Sequence, residues 1–168
     1  YDQSLFRRFQ EAGHPVVILK TQYRMHKKIS KFISDTFYDG LLEDYSKISD
    51  STENEPCLKL PAFQPMTFYD IESDESFENN SFSNDDQIEI IINLIEMLKT
   101  IYSPSEIVEK VSIISPYSNQ VYKLKELLKK MAGFNPTVGY IDVNTVDGFQ
   151  GKEKTIIIFS TVRSKGSK

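Results

Sequence analysis

The sequence is poor in cysteine and has no long apolar run, and both absences narrow the class of protein. Cys57 is the single cysteine among 168 residues, which excludes an internal disulfide framework and a zinc site built from several cysteines. No apolar run approaches the roughly 18 residues of a transmembrane helix, so no membrane partner is expected. The opening YDQSLFRRFQ is neither a signal peptide nor a start at methionine, and we expect a piece of a larger protein of the nucleus or cytoplasm.

Charge is unevenly spread along a chain whose composition is otherwise that of a globular domain. Apolar residues make up 39% and charged residues 26%, and the length suits one domain with one core. The net charge of −4 divides into +4 for residues 1–38, −14 for residues 39–109 and +6 for residues 110–168. The two basic segments could together form a phosphate-binding face, or they could be ordinary solvated lysines on helices.

Apolar runs that alternate with helical patterns predict an α/β fold. Strands are predicted at 16–20, 66–71, 111–117, 141–146 and 155–162, and helices at 4–13, 27–38, 83–102 and 118–133. Wholly apolar strands are typical of a parallel sheet covered by helices on both faces. Residues 40–65 are predicted to be mostly loop, and the acidic segment 72–85 a mobile loop.

Two helices carry more detailed predictions. In the helix 27–38 the residues Ile29, Phe32, Ile33 and Phe37 form the apolar stripe of a core-facing helix. The helix that begins near residue 83 is predicted to be capped by Ser83 or Asn84.

Three polar clusters follow predicted strands directly: TQYRMHKK, SPYSNQ and TVDGFQGKE. In an open parallel sheet, ligands bind at the carboxyl ends of the strands, so we expect the clusters to share one rim. In the first cluster, the planar fork of Arg24 suits phosphate oxygens, Gln22 offers an amide and Tyr23 a ring that could stack on a base. The alternative is an arginine paired with an acid and a tyrosine packed in a groove. His26 is expected to make a structural hydrogen bond, and no metal site is predicted.

The second cluster offers neutral donors near a helix N-terminus. Ser115, Tyr117, Asn119 and Gln120 could make sequence-independent phosphate contacts there. The alternative is helix capping by Ser118.

The third cluster combines glycines with a hydroxyl. Gly148 and Gly151 permit positive φ and a close approach of a ligand to the backbone, and Thr145 can donate to a phosphate. Gln150 and Glu153 could bond a ribose or the loop itself. The alternative is a tight turn in which Asp147 pairs with Lys152.

Taken in order, these motifs resemble one family. YDQSLFRRFQEAG, LKTQYRMH, FYDGLL, SIISPYSNQ and NTVDGFQGKEKTIIIFSTVRS are similar to the second RecA-like domain of superfamily 1B helicases, in the Up-frameshift/senataxin group and closest to its senataxin side. The resemblance covers residues 1–168 and implies a RecA-like, P-loop NTPase-type sheet. It also implies a fragment of an ATP-dependent helicase that moves on single-stranded RNA or DNA and works with a first RecA-like domain of the same protein.

The resemblance assigns roles by position. Tyr23 would stack near the adenine, Arg24 would reach the γ-phosphate as the catalytic residue, and Gln22 belongs to the same motif. Gly151 and Glu153 would lie on the nucleotide side. The nucleic-acid strand would be held by Thr145 and by the segment Ser115, Pro116 and Tyr117.

The sequence departs from the family pattern in two places and lacks two of its elements. Lys27 stands where the family usually has proline, and Gln87 stands where it usually has glutamate. There is no G-x-x-x-x-G-K-[ST] phosphate loop and no Asp-Glu pair for Mg²⁺, which an ATPase requires. We therefore expect ATP and Mg²⁺ to need the first RecA-like domain, and the fragment by itself to be monomeric and inactive. A non-catalytic nucleic-acid-binding module of the same fold remains the alternative; a nuclease is disfavoured because no carboxylate cluster lies on the predicted rim.

Overall fold

A computed structural model describes residues 3–164, except for the side chains of residues 49–51. The chain divides into two compact units, Tyr1–Thr67 and Phe68–Lys168. Each unit has its own secondary structure.

The N-terminal unit is built from short elements. Helix α1 (Leu5–Glu11) begins after Ser4, whose side chain accepts a hydrogen bond from the Arg7 N–H, and the two-residue strand β1 (Thr21–Gln22) pairs in parallel with β2 (Glu43–Asp44). Helix α2 (Lys27–Phe37), helix α3 (Ile48–Glu53) and a 3₁₀ turn (Pro56–Lys59) complete it. The segment 40–65, predicted as mostly loop, thus contains one short strand and two short helical segments.

Two predictions for this unit are wrong. Residues 16–20 form no strand: Val17 and Leu19 are 87% and 85% exposed, and pairing with β2 begins only at the end of the run, where the Lys20 carbonyl accepts from the Glu43 N–H at 2.7 Å. An apolar run becomes a buried strand only where a neighbouring strand and a covering layer meet it, and sequence alone does not supply either. In α2 the buried residues are Ser30 and Ser34, whereas Phe32 and Phe37 are exposed. The Ser34 hydroxyl accepts a hydrogen bond from the Leu42 N–H at 3.0 Å, so the serine side of the helix contacts the following chain.

The C-terminal unit contains a three-stranded parallel sheet flanked by helices. The central strand β5 (Val111–Ser115) pairs with β6 (Asp142–Thr145) on one side and β7 (Ile156–Phe159) on the other. Helices α4 (Asp85–Leu98), α5 (Pro104–Lys110) and α6 (Ser118–Lys130) provide the rest of its core. All five residues of β5, two of them serines, are buried, as predicted for a strand covered on both faces. The predicted α/β, RecA-like parallel fold is confirmed, with three of the five predicted strands in this sheet; residues 66–71 form no strand.

The segment 72–85 contains a β-hairpin at residues 76–83, so its prediction as a loop is wrong. Strands β3 (Ser76–Glu78) and β4 (Ser81–Ser83) pair antiparallel, with Phe77 opposite Phe82. Asn79 and Asn80 form the turn with φ of 52° and 58°, the left-handed values that two-residue hairpins require and asparagine tolerates. The acidic composition of the segment concealed this turn signal.

Candidate nucleotide and single-strand sites

The motif QYRM forms a turn at the end of β1 that the side chain of Gln22 holds in shape. Gln22 Oε1 accepts hydrogen bonds from the N–H groups of Arg24, at 2.9 Å, and Met25, at 2.7 Å. Its Nε2 donates to the Met25 carbonyl at 2.8 Å and to Asp44 Oδ1 at 2.6 Å. Both donor and both acceptor positions of the amide are therefore used within the protein. Hydrogen bonds from Ser30, and then from Gln22, hold the pKa of Asp44 below its ordinary value, which keeps this acceptor ionised.

The same turn leaves its two central side chains exposed. Tyr23 is 66% exposed and its ring packs against Tyr45, with centroids 4.9 Å apart and planes tilted by 39°. Arg24 is exposed beside it. The turn thus presents an aromatic face and a guanidinium next to each other, as the first polar cluster predicted for a nucleotide-binding segment.

His26 ends this motif as the N-cap of α2. Its Nδ1 accepts a hydrogen bond from the Lys28 N–H at 3.1 Å, which is the structural role expected of it. Burial lowers the pKa of His26, and the nearby Lys27 and Lys28 act in the same direction against Glu53 and Asp44. The histidine is therefore held in the neutral form that can accept this hydrogen bond.

In the C-terminal unit, the second and third polar clusters meet at the carboxyl edge of the sheet. Ser115 and Thr145 are the last residues of β5 and β6, and they are direct partners in the parallel register. Ser115 is fully buried, and its Oγ accepts a hydrogen bond from the Tyr117 N–H at 3.3 Å. Pro116 is exposed next to it, and Tyr117 is half-buried. The expected meeting of these two clusters is confirmed; the first cluster lies in the other unit.

The turn after β6 uses its glycines in two different ways. Thr145 Oγ1 accepts a hydrogen bond from the Gly148 N–H at 3.1 Å, and a Cβ at Gly148 would lie 3.1 Å from the same oxygen. Gly148 has no positive φ, and a side chain there would be tightly placed against Thr145, which would have to shift by a few tenths of an ångström. Gly151, at φ +81°, takes the left-handed conformation that glycine alone adopts without cost, with no atom within 4 Å of a Cβ placed there.

The charged residues of this turn pair differently from the alternative considered for it. Lys152 Nζ lies 3.1 Å from Asp142 Oδ2, at the start of β6, so the pairing of Asp147 with Lys152 is wrong. Glu153 is exposed at the end of the turn. Backbone hydrogen bonds from the Gln150 N–H to the Asp147 carbonyl, at 3.2 Å, and from the Lys152 N–H to the Phe149 carbonyl, at 3.0 Å, hold the turn that carries Gly151 and leads into Glu153.

Sequence reasoning missed a buried polar network beneath the same edge. Asn119 and Gln120 were expected to face a ligand, but both are buried. Gln120 Oε1 accepts from the Asn84 N–H at 2.9 Å, and its Nε2 donates to Ser160 Oγ at 3.0 Å. The alternative of capping by Ser118 is also wrong, since α6 has Tyr117 at its N-cap and no side-chain cap. The signal that could have found the network is the small polar residues Ser81, Ser83 and Asn84 around the start of the predicted long helix.

Asn84 and Gln87 connect this network to the segment after β7. Asn84 caps α4, as predicted, by accepting from the Gln87 N–H, and its Nδ2 donates to the Val162 carbonyl at 3.0 Å and to Ser73 Oγ at 2.8 Å. Gln87 Oε1 accepts from the Val162 N–H and from Ser160 Oγ. Val162 is fully buried with φ +66°, a strained value for a β-branched residue. The network therefore holds the backbone that leads from β7 into Arg163.

Two further properties concern metals and membranes. Within residues 3–164, no three His, Cys, Asp or Glu side chains gather into a group that could hold a metal ion. Across the same part of the chain, no helix has the length and apolar character that crossing a membrane requires.

Comparison with known proteins assigns the family. The family described as "AAA domain" matches residues 1–168. The chain is 42% identical over 168 residues to "Probable helicase MAGATAMA 3" of Arabidopsis thaliana, covering 98% of this chain and 20% of that protein. It is 38% identical over 174 residues to "Helicase SEN1" of Saccharomyces cerevisiae, covering 100% of this chain and 8% of that protein. To "Helicase sen1" of Schizosaccharomyces pombe it is 35% identical over 166 residues, covering 98% of this chain and 10% of that protein.

The fold and the matched motifs thus define an α/β AAA domain of RecA-like type, and the chain belongs to that family. Within it, the chain is a superfamily 1B helicase domain of the senataxin-like group, as the motifs predicted. It spans a fifth or less of the length of these three relatives.

Proposed function

We propose that this chain is the second RecA-like domain of an ATP-dependent helicase, and that it supplies half of an ATP site and half of a single-strand channel. The observation that carries the proposal is the register of Ser115 with Thr145, which joins the SPY segment and the TVDGFQGKE turn at one carboxyl edge of a parallel sheet. Ligands of open α/β sheets bind at that edge. The relatives named as helicases support the same reading.

The strand contacts are assigned to the exposed part of this edge. Pro116 and Tyr117 would face the nucleic acid, with Thr145 next to them and the exposed turn beyond it. Ser115 is buried and bonded to the Tyr117 N–H, so its contribution would be to shape the segment that carries Pro116 and Tyr117. Neutral groups and backbone N–H donors of this kind suit contacts to phosphates that do not depend on base sequence.

The nucleotide contacts are assigned to the QYRM turn and to the end of the TVDGFQGKE turn. The exposed Tyr23 ring suits stacking on adenine, and the exposed Arg24 suits a phosphate. Gln22 would act by holding both side chains in place, because its own amide is fully used in the turn. Gly151 and Glu153 would border the nucleotide from their turn. ATP with Mg²⁺ would provide the free energy for movement along the strand, and its remaining ligands would come from a first RecA-like domain.

The strand assignment is tested with the full-length protein and a fluorescent single-stranded oligonucleotide. Replacing Tyr117 by alanine should raise the Kd, since the tyrosine borders the proposed channel. Tyr122→Ala is the matched control, because Tyr122 is an exposed tyrosine of α6 that belongs to neither of the two motifs at the sheet edge. Equal binding by the Tyr117→Ala variant and the wild type would contradict the channel at this edge.

A further inference from the structure

The hairpin β3–β4, which the family motifs leave without a role, carries an aromatic ladder that ends at Tyr117. The rings of Phe77 and Phe82 face each other across the hairpin with centroids 4.8 Å apart. The ring of Phe82 then meets Tyr117 edge-on at 5.6 Å. Three aromatic rings therefore run in unbroken contact from the hairpin to the segment that follows β5.

The ladder is fixed in place by hydrogen bonds from α6. The Asn119 N–H donates to Ser81 Oγ at 3.2 Å, and Asn119 Nδ2 donates to Ser83 Oγ at 3.1 Å. Ser81 and Ser83 are both buried. The hairpin is thus attached to the N-terminus of the helix that begins directly after Tyr117.

The outer member of the ladder is open to solvent. Phe77 is 59% exposed, whereas Phe82 is half-buried between its two aromatic neighbours. The guanidinium of Arg163 lies over the Phe82 ring, 5.3 Å from its centroid, and its Nε is 3.3 Å from Glu75 Oε1. Arg163 therefore stabilises the middle ring and leaves Phe77 uncovered.

We propose that Phe77 stacks on a base of the single strand and extends the contact surface beyond Tyr117 along the hairpin. The inference rests on the proposed function, because Tyr117 is the point at which the ladder joins the proposed channel. Proteins commonly bind single-stranded nucleic acids by stacking successive bases on aromatic side chains, and every base has a face that can stack in this way. The ligand class is the unpaired base of either RNA or DNA.

The negative charge of the hairpin determines which part of the single-stranded nucleic acid it can contact. Glu78 follows Phe77 directly in β3, and carboxylates repel phosphates, whereas the charge of Glu75 is paired with Arg163. A purely electrostatic contact is therefore disfavoured at this place, and a contact through base faces is favoured. This predicts that the Phe77 contribution to binding is insensitive to salt, unlike contributions from lysine or arginine at phosphates.

The test measures the Kd of the full-length protein for oligo-uridine and oligo-thymidine across a salt series. Phe77→Ala should raise the Kd by about 5- to 100-fold for both, the range expected for the loss of one stacked base, while leaving the slope of log Kd against log salt unchanged. Phe77→Trp should bind at least as well as the wild type. Phe68→Ala is the matched control, because Phe68 is an exposed phenylalanine outside the ladder, and it should leave the Kd unchanged.

A second variant and a second ligand separate stacking from packing. Phe77→Leu keeps an apolar side chain against Phe82 but removes the ring, so wild-type binding by this variant would overturn the proposal. An abasic oligonucleotide should bind wild type and Phe77→Ala equally. Weakening by Tyr117→Ala but not by Phe77→Ala would overturn this inference and leave the proposed channel standing. If neither variant weakens binding, the channel itself is wrong.

Discussion

The side-chain amide of Gln87 is paired with both polar groups of the Val162 backbone. Its Oε1 accepts from the Val162 N–H at 2.9 Å, and its Nε2 donates to the Val162 carbonyl at 3.1 Å. The two residues are far apart in the chain, one in the first turn of α4 and the other beyond β7. The pairing holds a buried β-branched residue at φ +66°, a conformation that typically costs about 1–3 kcal/mol.

Replacing Gln87 by leucine should therefore destabilise the protein. The change leaves the buried Val162 N–H without its partner and removes the acceptor of Ser160 Oγ, and each buried polar group without a partner costs about 1–3 kcal/mol. We expect a loss of roughly 2–4 kcal/mol in the free energy of unfolding, measured by urea denaturation. Gln10→Leu, at an exposed position of α1, is the control and should change the stability little. A Gln87→Leu variant as stable as the wild type would show that the pairing contributes nothing.

The N-cap of α4 should contribute more than an ordinary cap. Asn84 accepts from the Gln87 N–H and also donates to Ser73 and to Val162, whereas Ser103 caps α5 at the surface. Ser103→Ala should cost about 1 kcal/mol, the usual value for a lost cap, and Asn84→Ala should cost clearly more. Chemical denaturation of both variants makes the comparison. Equal losses would mean that only the capping bond of Asn84 matters.

The pH dependence of stability should contain a contribution from His26. Its folded-state pKa is lowered from the ordinary 6.5, so the unfolded chain binds the proton more tightly than the folded chain does. The stability that neutral His26 provides is complete above about pH 6.5 and is lost as the pH falls through the folded-state pKa. The lowered pKa values of Asp44 and Glu53 place their titration below 3.8 and 4.5, outside this window.

His26→Asn isolates this contribution, because asparagine can cap a helix and does not titrate. The melting temperature of the wild type should fall as the pH is lowered from about 6.5, and that of the variant should fall less. Parallel curves for the two proteins would assign the pH dependence to other groups.

The 168-residue chain by itself should not hydrolyse ATP, because its sequence has no phosphate loop and its one Asp-Glu sequence, Asp74–Glu75, is not placed as a Mg²⁺ site: it lies directly before hairpin strand β3, and Glu75 pairs with Arg163. Phosphate release would be measured with and without single-stranded RNA. Turnover that is stimulated by the strand and persists through repurification would contradict this.

The same chain should bind single strands only weakly, with a Kd that rises steeply with salt, since half a channel neutralises few phosphates.

The sequence predicted best those parts of the fold that depend on contiguous apolar residues. The run at β5 and the turn of polar residues after β6 placed Ser115 and Thr145 at one edge correctly, because parallel strands end together. The prediction of a strand at 16–20 was wrong, because an apolar run forms a strand only where another part of the chain pairs with it. The acidic composition of the hairpin segment predicted a loop, but the two asparagines form a turn that lets the flanking residues pair as strands.

The polar network was beyond sequence reasoning for a different reason. Gln87 and Gln120 are residues that usually lie at the surface, and only the packing of α4 and α6 against the end of β7 buries them. The positive φ of Val162 was equally hidden, since valine is among the residues least suited to it. The roles proposed for Tyr23 and Arg24 came from the motif, and the structure adds the amide of Gln22, which holds the backbone of the turn that carries them.

The central claim is that this chain completes an ATP site through Arg24. The most direct measurement is strand-stimulated ATP turnover by the full-length protein as wild type, Arg24→Ala and Arg24→Lys, with Arg7→Ala as the control. Arg7 is exposed on α1, where it pairs with Glu11 at 2.9 Å.

A guanidinium that stabilises the charge on a transferred phosphoryl group increases the rate by about 10³–10⁵ in the best-known cases, and lysine lacks the bidentate fork of arginine. Arg24→Ala should therefore lower turnover by one to several orders of magnitude with an unchanged melting temperature, Arg24→Lys should recover little, and Arg7→Ala should match the wild type. Near-normal turnover by Arg24→Ala, or a loss explained wholly by unfolding, would contradict the claim.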